Sequence, residues 1–357
     1  MTQQTEPQKK AVFSPKYLIS ILLMAGILVG TFYLLPRDHS LAEVKAVILS
    51  AKPGWILAGF GMMGIYQLSI AFSIRLLIRT FNRSRCPLEL AHKTSYIGFF
   101  FNSITPSSSG GQPVQMYYLS RRGVDLSHSS LIFIVLAIFY NATIIIFSLI
   151  ASLLKFKLVF SSLKFMTYFM VYGYLVNGAI VVSMILLIVK PRLITGFLKA
   201  ISRLLFKINF IKKHRRTRFL RKISGFSAGY KQSSRIFLNR GSLLLRLAGL
   251  HMIQVLAYYF IPYFVSMSLG GRGAALDECL ALQSVLYLST SAVPTPGAVG
   301  VTESGFVTMF ESILPSQQVV PAMFLTRLIN FYAFVIIAGI VSAIAMITTK
   351  KKPLPQV

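Results

Sequence analysis

Acidic residues are what this sequence most lacks. Its 357 residues hold nine Asp and Glu against 37 Lys and Arg, and charged residues of both signs make up only 13% of the chain. Soluble domains carry about 25% charged residues. A chain with half that share and 55% hydrophobic residues is not built to meet water on all sides. Cysteine is scarce as well. Cys86 and Cys279 fall at the ends of different segments, with no CxxC or metal-ligand spacing. That argues against a disulfide framework and a zinc site, so no metal is expected. Walker and dinucleotide glycine motifs are missing. No nucleophile, base and acid can be grouped along the chain, and no cofactor is expected.

What the sequence does contain is apolar runs. Unbroken ones lie at about 17–35, 55–78, 129–154, 165–189, 243–268 and 319–346, near the ~20 residues that cross ~30 Å of hydrocarbon. The first is too long for a signal peptide and lacks an A-x-A exit, so it reads as an anchored span. A net charge of +28 would ordinarily suggest nucleic acid. Here the basic residues sit mainly between the apolar runs, where the positive-inside rule places them. Anionic phospholipids, not nucleic acid, are the expected partners.

Two further apolar segments are broken. One, at 96–118, is interrupted by TPSSSGGQP at 105–113. The other, at 279–313, is interrupted by PTPGAVGVTE at 294–303. Pro and Gly at this density end a helix, and lipid cannot satisfy the backbone groups this frees. Each break therefore predicts a re-entrant hairpin of half-helix, polar turn and half-helix. Charge agrees. Lys9, Lys10, Arg79, Arg83, Arg85, Arg121 and Arg122 read as inside, and Asp38 and Glu43 as outside. Lys155, Lys157 and Lys164 fall outside against the rule. The order span, span, hairpin, span then occurs twice from opposite faces.

The predicted fold is an all-α polytopic membrane protein of about six full spans plus two re-entrant hairpins in an inverted repeat. The first repeat covers 17–154 and the second 165–346, between tails 1–16 and 347–357. Short echoes support the repeat: Ser103 and Pro106 with Ser291 and Pro294, and Phe139-Tyr140 with Phe331-Tyr332. The gap 190–240 holds 15 Lys and Arg and no acid. Within it Leu193, Phe197, Ile201, Leu204, Leu205 and Ile208 recur at helical spacing, which predicts an amphipathic helix in the inner interface. KKHRRTRFLRK follows at 212–222.

The turns supply candidate functional residues. Ser107, Ser108, Ser109, Gly110, Gly111 and Gln112 offer hydroxyls and exposed backbone N–H groups ahead of a half-helix, a pattern suited to phosphate. The alternative is a satisfied turn that only packs. In the second turn Gly297 and Gly300 precede Glu303, a carboxylate that is costly at bilayer depth unless paired. Arg327, roughly 12 Å into the last span at 1.5 Å per residue, is its candidate partner. The pair is either structural or contacts a lipid headgroup. Asn330, Tyr332, Asn141 and Tyr140 add polarity near midspan, and Asn102 lies on the first hairpin. Arg75 and Arg246 read as snorkelling anchors.

These motifs carry a resemblance. TPSSSGGQPVQMYYLSRRG at 105–123, PTPGAVGVTE and RLINFY at 327–332 resemble the transmembrane region of bacterial lysylphosphatidylglycerol synthases, which also occurs alone in flippase-like membrane proteins. The matching positions include 106–113, Pro294, Pro296, Gly297, Gly300, Glu303, Arg327 and Tyr332. This chain departs at Ala298, Val299 and Val301, and at Thr326, where an aromatic residue is common. The resemblance implies a multi-pass protein of the bacterial cell membrane with both termini cytoplasmic. It implies a flippase-like role on phospholipid or lipid-linked headgroups. Lysylphosphatidylglycerol or a lipid-modifying enzyme is a further partner it suggests.

The alternatives are a phosphatidylglycerol lysyltransferase-related protein linked to cationic peptide resistance, by family name only, or a lipid-presenting scaffold. The synthases' soluble lysyl-transfer domain has no counterpart before Val357, so enzymatic activity is not expected. Purified chain supplied with lysyl-tRNA and phosphatidylglycerol should incorporate no lysine into lipid; incorporation above a protein-free control would restore the enzyme reading.

Overall fold

The computed structural model describes residues 41–81, 86–207, 213–271 and 274–348. The expected first span at 17–35, the tail 1–16, the tail from 349, and Arg83, Arg85, Ile208 and Lys212 lie outside the described residues. Among those described, every regular element is helical. In chain order they are α1 (Leu41–Leu49), α2 (Pro53–Phe81), α3 (Leu88–Ser103), α4 (Gly111–Arg121), α5 (Leu126–Leu154), α6 (Phe156–Leu163) and α7 (Met166–Val189). There follow α8 (Arg192–Lys207), α9 (Lys213–Leu238), α10 (Gly241–Tyr259), α11 (Ile261–Ser268), α12 (Leu276–Thr290), α13 (Val301–Phe310), α14 (Ser316–Arg327) and α15 (Ala333–Thr348).

Five helical stretches are long and apolar enough to cross a membrane: Pro53–Phe81, Leu126–Leu154, Met166–Val189, Gly241–Ser268 and Ser316–Thr348. They coincide with five of the six runs read from the sequence. A helix is the conformation in which a single apolar segment satisfies its own backbone. Polar side chains on these stretches mostly bond back to their own helix. Ser69, Ser73, Thr143, Asn141 and Asn177 each donate to the carbonyl four residues earlier. Asn141 therefore serves α5 itself.

Both broken segments fold back on themselves. Gln115 of α4 donates to the Thr94 carbonyl of α3 at 2.8 Å, and Gly111 N–H donates to Asn102 Oδ1 at 2.9 Å. Partners thus approach one another toward the turn, so α3 and α4 are antiparallel. α12 and α13 likewise pack on each other, with Gly305 against Leu286. Each hairpin sits in its own apolar core. Ile97, Phe101, Tyr118 and Leu119 join Ile74, Leu131 and Leu247 in one. Leu282, Leu286, Phe306 and Phe310 join Met63, Ile144, Met166 and Met323 in the other.

Two of the three lysines that broke the charge rule have partners. Lys155 pairs with Asp277 at 2.6 Å and Lys164 with Glu311 at 3.2 Å. Ser162 adds a hydrogen bond to Ser312 at 2.8 Å. The two ends of the second hairpin are thereby tied to α6. The Lys155 ammonium, by its hydrogen bond, holds the exposed Asp277 carboxyl below the usual range. Within 190–240 the described residues form two helices. α8 turns Leu193, Phe197, Ile201 and Leu204 outward and buries Ser202, so its apolar face points away from the protein. α9 packs on α8 and α5.

The second hairpin is also tied to α7. Asn177 donates to Ser291 at 3.0 Å and Tyr172 to the Ala292 carbonyl at 3.1 Å. Gly173 permits the approach: a Cβ there would overlap the Leu288 carbonyl. Gly178, five residues on, has open space around it. Gly173→Ala should lose about 1–3 kcal/mol through overpacking. Gly178→Ala should be neutral or slightly stabilising, because alanine is the better helix former by about 1 kcal/mol. Thermal midpoints in detergent read both; equal midpoints would show α7 and α12 farther apart than described.

Candidate functional site

The two turns share one backbone design. Thr105 (φ −115°, ψ 144°) and Thr295 (φ −110°, ψ 147°) are extended, and each leads into a one-turn 3-10 helix opened by Pro106 or Pro296. An extended residue is what a following proline imposes. Ser107 and Gly297 then take φ of 51° and 61°, and Ser108 and Ala298 φ of 51° and 50°. Ser108 N–H bonds the Thr105 carbonyl, and Ala298 N–H the Thr295 carbonyl. Among the described residues four non-glycine residues have positive φ, and three of them lie in these turns. Such strain persists only where surroundings enforce it, and it gathers at working sites. The two turns pack against each other, and the second also rests on α3.

The first turn is exposed at Pro106, Ser107, Ser108 and Ser109. Its N–H groups are largely engaged within the protein. Ser108 and Ser109 donate to carbonyls of the turn, Gly110 to Thr105 Oγ1 at 2.9 Å, and Gly111 to Asn102 Oδ1. Ser109 Oγ donates to the Pro106 carbonyl. The outward polar groups are therefore chiefly the Ser107 and Ser108 hydroxyls, rather than a ring of backbone N–H groups. Gln112 lies half-buried on the first turn of α4.

The second turn is organised around Glu303, which is 2% exposed. Its Oε2 accepts the Gly300 N–H at 2.7 Å, capping α13 from the third position. Its Oε1 accepts Arg327 Nε at 2.6 Å and the Tyr332 hydroxyl at 3.1 Å. Arg327, 3% exposed, also donates from Nη2 to the Gly297 carbonyl at 3.2 Å. Its guanidinium lies 4.4 Å from the Phe331 ring centre and 5.5 Å from that of Tyr332. Gly297 must be glycine for a second reason: a Cβ would run into Phe331.

Arg327 and Tyr332 reach one oxygen because the helix between them is not α-helical. Leu328–Tyr332 is a π-turn, closed by the Ala333 N–H to the Leu328 carbonyl. At 100° per residue, five α-helical steps would leave the two side chains about 140° apart. An i→i+5 turn brings them onto one side. The RLINFY motif is thus the residues of this turn and the two ligands of Glu303.

Further polar groups lie on the long helices and on the second hairpin. The hydroxyls of Tyr66, Tyr140 and Tyr287 are linked, Tyr66 to Tyr140 at 3.3 Å and Tyr140 to Tyr287 by a short bond. The Tyr258 ring lies tilted against that of Tyr287, with centroids 4.7 Å apart. Thr295 Oγ1, Thr326 Oγ1, Asn330 Oδ1 and Gln254 Oε1 are buried without a hydrogen-bond partner in the protein. Buried polar atoms are ordinarily satisfied, so these four atoms are unspent hydrogen-bonding capacity.

Of the residues singled out in the sequence, the structure brings Gly297, Gly300, Glu303, Arg327 and Tyr332 into one cluster. Asn330 is on the same π-turn, with its amide oxygen unpartnered. The serines and glycines of 107–111 form the facing turn. Missed were Thr105 and the tyrosines of α2, α10 and α12, while Asn102 and Phe331 were noted without a role in either turn. One signal was legible: Thr-Pro recurs at 105 and 295, and Gly110 and Gly300 keep the same spacing. The matching register of the turns is this one, two residues away from the Ser103–Ser291 echo.

Helices of this length around a buried polar junction define a multi-pass membrane protein. The family described as "Lysylphosphatidylglycerol synthase TM region" matches residues 17–339, and the chain belongs to it. A UPF0104 membrane protein of Archaeoglobus fulgidus is 24% identical over 259 residues, which cover 70% of this chain and 74% of the relative.

Breaking a buried pair by removing one partner costs about 3–5 kcal/mol. Arg327→Ala should therefore lower the thermal midpoint strongly. Tyr332→Phe, which deletes one hydrogen bond of three to Glu303, should cost about 1 kcal/mol. A wild-type midpoint for Arg327→Ala would contradict a buried, ionised pair.

Proposed function

We propose that this protein moves phospholipid or lipid-linked headgroups between leaflets, past the junction of two re-entrant hairpins arranged as an inverted repeat. The observation that carries the reading is the contact of two turns with one strained backbone design, at the meeting of four half-length helices. α3, α4, α12 and α13 have 16, 11, 15 and 10 residues. At 1.5 Å per residue they reach about 24 Å or less, short of ~30 Å of hydrocarbon. Helices of that length enter and leave by the same face. Binding where broken helices meet is the habit of transporters built from inverted repeats.

The difficulty such a protein removes is desolvation, because an unpaired ion in hydrocarbon is prohibitively costly. The exposed Ser107 and Ser108 hydroxyls and the unpartnered atoms of Thr295, Thr326 and Asn330 supply polar contacts along the path. Arg327 supplies the charge that draws a phosphate, with Glu303 holding it when no headgroup is present. Acyl tails stay in lipid. With the inside negative, membrane potential is worth ~2.3 kcal/mol per charge per 100 mV. It favours outward passage of an anionic lipid and opposes that of a cationic one such as lysylphosphatidylglycerol.

A leaflet assay in proteoliposomes tests the reading. Protein should speed exchange of labelled phospholipid, and Arg327→Ala should slow it far more than the exposed Arg246→Ala. Rates equal to protein-free vesicles across several headgroups would reject transport. Stable co-purification with a lipid-modifying enzyme, without exchange, would favour the presenting scaffold.

A further inference from the structure

A second basic site lies at the base of the first hairpin. α2 ends with Arg75 and Arg79 one turn apart, on the same side of the helix. Together with Cys86 and Pro87 they line a cavity of about 260 Å³, several times the ~30 Å³ share of one water. The sequence alone made Arg75 a snorkelling side chain. In the structure it is half-buried, and its Nε donates to the Cys86 carbonyl at 3.1 Å. That bond fixes the guanidinium plane at the cavity wall. Arg79 is exposed beside it.

Among the described residues, no carboxylate lines the cavity. The ion pairs among the described residues join Glu89 to Lys93, Asp125 to His128, Lys155 to Asp277, Lys164 to Glu311 and Arg327 to Glu303. None engages Arg75 or Arg79. Glu89, the acid nearest in sequence, is held by Lys93 one turn along α3. Pro87, which lines the cavity, is the residue before α3 and gives that helix no side-chain cap. The positive end of α3 therefore borders the same space. Burial pushes the Cys86 thiol up to about 11, while the charges of Arg75 and Arg79 pull it back.

Two guanidinium groups, one pre-oriented, beside an uncapped helix start form a receptor for a tetrahedral dianion or its ester. Arginine binds phosphate through paired N–H donors. We propose that this cavity is a phosphate-binding site, occupied by the phosphate of a phospholipid headgroup or by free phosphate. It stands apart from the turns, since the 16 residues of α3 place about 24 Å of helix between them. Binding here is an equilibrium property and does not rest on transport. A protein that binds at this site yet moves no lipid would keep this inference and lose the previous one.

The test uses the full chain in uncharged detergent, titrated calorimetrically with dihexanoyl phosphatidylglycerol, dihexanoylglycerol and inorganic phosphate. Dihexanoyl phosphatidylglycerol should bind and dihexanoylglycerol should not. Competition by inorganic phosphate would assign the site to phosphate itself; binding of the lipid without such competition would assign it to the headgroup ester. Arg79→Gln, which removes no hydrogen bond among the described residues, should weaken binding roughly tenfold, the scale of a charge-assisted bond. Arg75→Gln with Arg79→Gln should weaken it further, and Arg246→Gln should leave it unchanged. Wild-type affinity in the folded Arg79→Gln variant, or no binding of either phosphate ligand to the native chain, overturns the proposal.

Discussion

A carboxylate and a guanidinium with almost no access to solvent hold the centre of this protein. Glu303 and Arg327 would each be intolerable alone at that depth. Together, with the Gly300 N–H, the Gly297 carbonyl and the Tyr332 hydroxyl, they become a single neutral knot. The knot joins three pieces of chain that local sequence would not bring together: the second turn, the start of α13, and a π-turn in the last long helix. The positive φ at Gly297 and Gly300, the missing side chain facing Phe331 and the wide turn of Leu328–Tyr332 all follow from making these contacts at once. Desolvation sets the geometry, and the odd backbone features answer to it.

The two halves share a backbone and divide the chemistry. Both turns run Thr-Pro and then two residues of positive φ, and both reach glycine at the same spacing. Where the second half places Glu303, the first places Pro113, which can neither carry charge nor donate. The first turn is instead closed by neutral bonds from Thr105 and Asn102 and presents serine hydroxyls outward. The second is buried at Pro296 and Val299, and Val299 packs into the apolar core of the opposite hairpin. One turn is thus anchored by charge while its neighbour offers an uncharged polar surface.

Much of this was legible from residues alone. Long apolar runs could only be helices, and Pro-Gly breaks could only be turns. Glu303 and Arg327 attracted notice because a charge in an apolar run demands a partner. Lys155 and Lys164 were anomalies by the positive-inside pattern; Asp277 and Glu311 explain them, but pairs 122 and 147 residues apart leave no local trace. The same holds for the tyrosine hydroxyls, which come from three separate helices. The engagement of the N–H groups in the first turn was also hidden. Nothing in TPSSSGG tells whether its donors face a ligand or Asn102, nine residues back. The π-turn was invisible because five apolar and polar residues in a row fit an α-helix equally well.

The central claim is that the two turns meet. The direct measurement is a spin-label distance between Ser108→Cys and Ala298→Cys, in lipid nanodiscs, with Cys86 and Cys279 replaced. The account predicts one short, narrow distance distribution at the lower limit of the method. A distribution centred about 30 Å away, the span of the hydrocarbon core, would place the turns at opposite surfaces and contradict it.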